Sequence, residues 1–251
     1  MRRSLHHPSR TVAALFMGLV LLGTLLLRLP MAQAQGEAAP WLVALFTATS
    51  AVCVTGLVVV DTGSYWSPFG QVVVMLLFQL GGFGLMTAAA LLGLTVNRSL
   101  RLRTRLVTQA ETHAVGLGDV AGVARVVLVV TVVCEAALAA ALTTRFHFIY
   151  GQPLGAAAWS GLFHAISAFN NAGFSLHADS LMRYATDAWV LVPVILGIVI
   201  GGIGFPVLQD IRAKRKDPRH WSLHTKLTLA GSAVLLVGGA AALLLFEWTN
   251  P

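Results

Sequence analysis

Two stretches of this 251-residue chain could do chemistry, and neither would do it with side chains. In residues 41–61 (WLVALFTATSAVCVTGLVVVD) an apolar run breaks at Thr55-Gly56. The β-branched Val58, Val59 and Val60 that follow favour extended backbone over helix. A second stretch opens at Gln152-Pro153 and runs through Phe163, His164 and Phe169 to Asn170-Asn171-Ala172-Gly173-Phe174. Apart from the Cys53 thiol, residues 52–57 and 170–174 contain no ionisable group, so neither offers a carboxylate, an imidazole or an amine. What they do offer is free backbone carbonyl oxygen, which can replace the water around a dehydrated cation.

The elements around these stretches must hold them at membrane depth. Residues 40–52 make a helix of ~20 Å, too short for a hydrocarbon core of ~30 Å. Pro40 suits its first turn, where a missing N–H costs nothing. A short helix followed by extended chain reads as a re-entrant hairpin, tolerated only when packed in protein or lining a wet cavity. The device recurs: Gly56 and Gly173 lie 117 positions apart, and GGFG at 81–84 is followed by GGIG at 201–204 after 120. Two landmarks at nearly one offset argue for an internal duplication.

Composition fixes the medium. The chain is 57% hydrophobic and 11% charged, which excludes an ordinary soluble domain. Its net charge of +7 does not indicate nucleic acid. The basic residues form short clusters between apolar runs, where they orient a protein in the lipid bilayer and meet anionic headgroups. Cys53 and Cys134 lack metal-ligand spacing, and no disulfide is expected.

Five spans are predicted, at residues 11–29, 69–96, 120–146, 188–211 and 223–246. The first also has the basic start and Ala-x-Ala end of a secretory signal peptide. The apolar stretch of this 19-residue span exceeds the usual ~7–15, however, and the duplication requires a helix here. Glu135 sits inside the third span, where an ionisable group is costly; it reads as an intramembrane polar strut against a neighbouring helix or as a functional group. Gly81, Gly82, Gly84, Gly201, Gly202 and Gly204 read as points of close helix packing or of bending, a gating hinge being the sharper alternative.

With the N-terminus cytoplasmic, 14 of the 17 Lys and Arg fall on or beside cytoplasmic segments, only Arg28, Arg145 and Arg183 lying outside. Both hairpins then open to the exterior, where Glu37, Asp61, Asp179 and Asp187 attract cations.

The runs ATSAVCVTGL, QLGGFGLMT, FHAISAFNNAGFS and GGIGFPVLQDI carry a resemblance to the Trk/Ktr/HKT superfamily of potassium transporters, and within it to the bacterial KtrB-type membrane subunit. It covers essentially the whole chain, with both loops and both glycine clusters in order. The resemblance implies an all-α integral membrane fold: repeats of helix, pore helix, filter loop and helix in a pseudo-fourfold pore. On that pattern residues 1–97 are a first repeat (hairpin 40–57), 98–119 a cytoplasmic connector, and 120–211 a second repeat (hairpin 153–174). Residues 212–222 are a basic cytoplasmic loop and 223–251 the first helix of a third repeat. The filter glycines become Gly56 and Gly173, flanked by Val54, Thr55 and Leu57, and by Asn171, Ala172 and Phe174.

The implied activity is potassium uptake across the plasma membrane, with potassium in the filter, no covalent cofactor and sodium as a candidate coupling ion. The implied partner is a cytoplasmic nucleotide-binding ring that controls opening. This chain carries two of the four filter loops, so one copy supplies half a ring of carbonyls. A truncated or split product is expected, with closure by a homodimer as the alternative. Two other classes compete. A secondary cation carrier also uses broken midplane helices but would place ionisable residues at the breaks. A membrane enzyme would need converging His, Asp or Glu, and within the hairpins 40–57 and 153–174 there is only His164. The expectation is therefore a transporter and not an enzyme.

Overall fold

The computed structural model describes residues 8–84, 117–213 and 218–248, and these divide into two compact units, Met1–Gly202 and Ile203–Pro251. The second half of the predicted span 69–96 and most of the predicted connector 98–119 lie outside the described residues, as do the basic residues 214–216.

Every named element is helical, with α1 at Pro8–Leu27, α2 at Trp41–Val52, the single turn α3 at Thr62–Tyr65 and α4 described over Pro68–Gly84. After the undescribed stretch come α5 at Leu117–Phe148, α6 at Leu154–Phe169 and α7 at Ala188–Ile203. In the second unit, α8 spans Phe205–Ala213 and α9 spans Leu223–Phe246. The break between α7 and α8 falls at Gly204, whose φ of +85° suits glycine and few other residues. Among the described residues there is no strand, only an isolated bridge between Gln33 and Trp66.

Two described helices are long and apolar enough to cross a bilayer unaided, Val127–Phe148 and Leu223–Phe246; a third results if α7 and α8 count as one span. The described apolar stretches of α1 and α4 are shorter, Ala13–Leu27 and Pro68–Gly84. On α9, Leu227, Leu235, Leu243 and Val237 are all largely exposed and spaced around the axis, so the helix is apolar on every side, as lipid requires and water would punish. The chain is an all-helical membrane protein.

In the first unit α1 lies along α2 and α5 lies along α6. The larger core joins both halves: Leu27, Val52, Trp66, Val74 and Phe78 pack with Phe163, Ile166 and Phe174. Phe78 carries the junction, edge-on to Phe163 at 5.5 Å and stacked on Phe174 at 5.8 Å. In lipid such contacts hold helices by dispersion and shape, because the alternative solvent is equally apolar. A polar tie reinforces them, Trp159 Nε1 donating to Gln71 Oε1 at 2.8 Å while the Gln71 amide donates to the carbonyls of Gly63 and Trp66.

One charged cluster closes an end of α5. Asp187 accepts from Arg145 Nε at 2.8 Å, from the Tyr150 hydroxyl at 2.9 Å and from the Trp189 amide at 3.0 Å. The Arg145 guanidinium holds the Asp187 carboxyl below the usual carboxylate range. A depressed folded value means that this contribution is complete above the unfolded value of ~3.9 and disappears as pH falls through the folded one. Asp187→Asn should therefore lower the melting temperature in detergent by a few degrees at pH 7, and the difference from wild type should shrink at about pH 3. An unchanged melting temperature at pH 7 would remove Asp187 from the account of stability.

In the second unit, Ser222 caps α9 by accepting from the Thr225 amide at 3.2 Å, and Asp210 accepts from Ser222 N and Thr225 Oγ1, both at 2.7 Å.

Candidate functional site

The two loops are built by one backbone recipe. Pro40 and Pro153 precede α2 and α6 with nearly equal angles (φ −55°, ψ 142° and φ −52°, ψ 139°), α6 being one turn longer. Each helix ends at a right-handed residue, Cys53 or Asn170, followed by Val54 or Asn171 at φ +56°. The amides of Val54 and Thr55 return to the carbonyls of Ala51 and Ser50, at 3.1 and 2.9 Å. Those of Asn171 and Ala172 return to Ala168 and Ser167, at 3.1 and 2.8 Å. This is the Schellman arrangement, which normally takes glycine at the left-handed position. Asparagine tolerates that conformation, but a β-branched valine is strained there by about 1–3 kcal/mol. Gly56 and Gly173 follow at φ +72° and +73°.

The loops meet glycine to glycine. A β-carbon added to Gly56 would lie 2.6 Å from the Ala172 carbonyl oxygen and 2.9 Å from Gly173 Cα; one added to Gly173 would lie 3.1 Å from Gly56 Cα. Substituents at these glycines are therefore directed at the neighbouring loop as well as being strained by the positive φ.

The downstream glycines let helices reach the pore-helix ends. A β-carbon on Gly81 would collide with the Val52 carbonyl oxygen, and one on Gly201 with that of Phe169, the matching residue at the 117-residue offset. Gly82 faces Asn170 Oδ1 in the same way, while Gly202 leaves 3.7 Å to Asn171 Nδ2 and Gly84 leaves 3.4 Å to Phe16.

Side-chain anchors differ between the loops. In the first, Thr55 Oγ1 donates to Ser50 Oγ at 3.0 Å. In the second, alanine stands at the position of Thr55, and the matching Ser167 hydroxyl donates instead to the Phe174 carbonyl at 2.7 Å. His164 sits 2.7 Å by Nδ1 from the Ser160 carbonyl, which requires the proton there, and accepts from Ser175 Oγ at Nε2 over 2.9 Å. His177 stacks on His164 at 5.0 Å, and its own imidazole is held below the ordinary value by burial, aided by Arg183. Glu135 is buried, its two oxygens accepting from Gln79 Nε2 and Asn170 Nδ2, each at 3.1 Å.

A cavity of about 270 Å³ lies behind the second loop, lined by His164, Ser167, Asn171, Gly173, Ser175 and Val194 among others. Another, of about 330 Å³, borders both loops at Val58, Asp61, Gly173 and His177. Among the described residues no three His, Cys, Asp or Glu side chains are placed to hold a metal, and both cysteines are free thiols. The chemistry available is that of carbonyl oxygen on two adjoining, strained and tightly backed loops.

The structure thus brings residues 54–57 and 171–174 side by side, sets Gly81, Gly82 and Gly201 against the ends of α2 and α6, and has Gly204 at the α7–α8 break. Sequence reasoning missed Ser50, Ser167, Gln79 and Asn170. The serines were within reach, since the 117-residue offset pairs them. Gln79 and Asn170 show no periodic signal and are recognised only by what they touch.

The chain is 39% identical over 97% of its length to Ktr system potassium uptake protein B of Bacillus subtilis, covering 54% of that protein. It is 36% identical over 96% of its length to the potassium/sodium uptake protein NtpJ of Enterococcus hirae, covering 52%. To Ktr system potassium uptake protein B of Vibrio alginolyticus it is 35% identical, again over 96% of the chain and 52% of the relative. The chain spans about half the length of the curated relatives it matches. The profile of the TrkH family, described as cation transport protein, matches residues 2–249, and the chain belongs to that family.

Proposed function

We propose that this chain forms half of a potassium-selective pore for uptake across the plasma membrane, with residues 54–57 and 171–174 as two filter loops. The observation that carries this is the meeting of two loops of matching backbone, glycine against glycine, each at the end of a short helix. Within residues 54–57, φ is positive at Val54 and Gly56 only. Such alternation turns successive carbonyls toward one side of the strand, where oxygens of fixed spacing replace hydration water and favour potassium over sodium. The names of the relatives support potassium as the ion, and NtpJ makes sodium a candidate second or coupling ion.

On this reading α1, α2 and α4 form one pore repeat, α5, α6 and α7 a second, and α9 begins a third. Gly81, Gly82 and Gly201 are packing glycines, Gly204 is the bend, and Glu135 is a polar strut. The basic clusters support a cytoplasmic N-terminus, a nucleotide-binding ring on that face, and both loops opening outward. A second copy of the chain is a candidate partner for closing the ring.

A dehydrated potassium ion needs oxygen on all sides, and two loops supply half of its shell. These 251 residues alone should not restore growth of a potassium-uptake-deficient bacterium at low potassium. The chain joined to the remaining half of a relative's length should restore it, and a cysteine placed at Gln35 of that protein should react with an impermeant thiol reagent from outside. Growth from the chain alone would favour the homodimer; no growth from the completed protein would count against the pore reading.

A further inference from the structure

The two loops share a backbone, yet among the described residues only the second has a polar ring against it. Asn170, at the end of α6, is 5% exposed, and its Nδ2 lies 2.6 Å from Gln79 Oε1, 3.1 Å from Glu135 Oε1 and 2.9 Å from the Ile166 carbonyl. Gln79 Nε2 donates to the other carboxyl oxygen of Glu135 at 3.1 Å, closing a three-membered ring across α4, α5 and α6. The matching position of the first loop holds Cys53, an exposed free thiol.

We propose that Glu135 is the positioning residue of the second filter loop, acting through Gln79 and Asn170 to fix the turn from which residues 171–173 present their carbonyls. The inference rests on the filter reading given above. Packing alone would be served by an apolar side chain, without the cost of a carboxyl group at membrane depth. The carboxylate adds direction. Both of its oxygens accept, one from each neighbour, and that arrangement turns the NH2 groups of both amides toward it. That choice determines the rest: Asn170 Nδ2 is drawn in among three acceptors with two hydrogens to share, while Oδ1 is left buried against Gly82 without a partner. An amide at 135 would supply donors and acceptors alike, and either orientation of Gln79 and Asn170 could then close the ring. Asn170 is bonded directly to Asn171, so its freedom passes to the left-handed turn and the carbonyls beyond.

Glu135→Gln tests this, because it keeps size and shape while removing the direction. The assay is rubidium and sodium tracer uptake into proteoliposomes by the chain joined to the remaining half of a relative's length, normalised to folded protein. The expected result is a fall of about tenfold in the rubidium-to-sodium ratio, with folded yield retained. Gln79→Leu, which cuts the ring at α4 and leaves Glu135 in place, should lower the ratio in the same direction, and the double variant should be no worse than the worse single one. A folded Glu135→Gln protein with the wild-type ratio would overturn the proposal. Should that variant fail to fold, a wild-type ratio in Gln79→Leu would overturn it equally. Gly56→Ser in the same assay separates the two ideas: if it abolishes selectivity while the ring variants do not, positioning by Glu135 fails and the filter stands. If Gly56→Ser is also without effect, the filter reading fails as well.

Discussion

Gly56→Ser should remove most of the discrimination between potassium and sodium while leaving a folded protein. Glycine holds φ at +72° there, a conformation that costs other residues about 1–3 kcal/mol. The added β-carbon would also press on the Ala172 carbonyl oxygen at 2.6 Å, which belongs to the neighbouring loop. One substitution therefore disturbs the carbonyls of both loops. If the strain falls on oxygen positions, 1.4 kcal/mol corresponds to about tenfold in relative affinity, and a loss of ten- to a hundredfold is expected. Rubidium and sodium uptake over a concentration range, in a transport-competent assembly containing the chain, reports it. Gly155→Ala is the control: that glycine, on the helix α6, has nothing within 4 Å of an added β-carbon and should behave as wild type. Unchanged selectivity in folded Gly56→Ser protein would remove residues 54–57 from the filter.

Gly201→Ala should have the largest effect on folding. Its β-carbon would overlap the Phe169 carbonyl oxygen and stand 2.9 Å from the carbonyl carbon, both backbone atoms that no rotamer change can clear. Either α7 separates from α6 or the end of α6 shifts, and Phe169 is itself buried. Overpacking of this kind costs roughly 3 kcal/mol or more, a large share of the ~5–15 kcal/mol by which a domain is stable. The expected outcome is little or no monodisperse protein on size exclusion in detergent, with a sharply lowered melting temperature in what remains. Gly81→Ala, set against the Val52 carbonyl oxygen, should behave alike, whereas Gly202→Ala has 3.7 Å to its nearest neighbour and should be mild. Normal yield and stability in Gly201→Ala would mean that α7 and α6 do not approach this closely.

By itself the sequence determined what is written locally or repeated. The short helix ends, the absence of carboxylates, imidazoles and amines at residues 52–57 and 170–174, the paired glycines and the apolar segments all follow from residue type and spacing. The matching serines at 50 and 167 were equally available from the offset. Tertiary structure alone decided who meets whom. In lipid a helix such as α9 is apolar all round, so hydrophobic periodicity no longer marks which face meets protein. Hence nothing in the chain pattern indicated that Gly81 would rest on the Val52 carbonyl oxygen, or that the two loops would touch at Gly56 and Gly173. The partners of Glu135 lie 56 and 35 positions away on other helices, and were fixed by how α4, α5 and α6 pack. Serine shows the limit most clearly: Ser50 and Ser167 occupy one backbone position, yet one bonds a threonine hydroxyl and the other a carbonyl, because the residue opposite is Thr55 in one loop and Ala172 in the other.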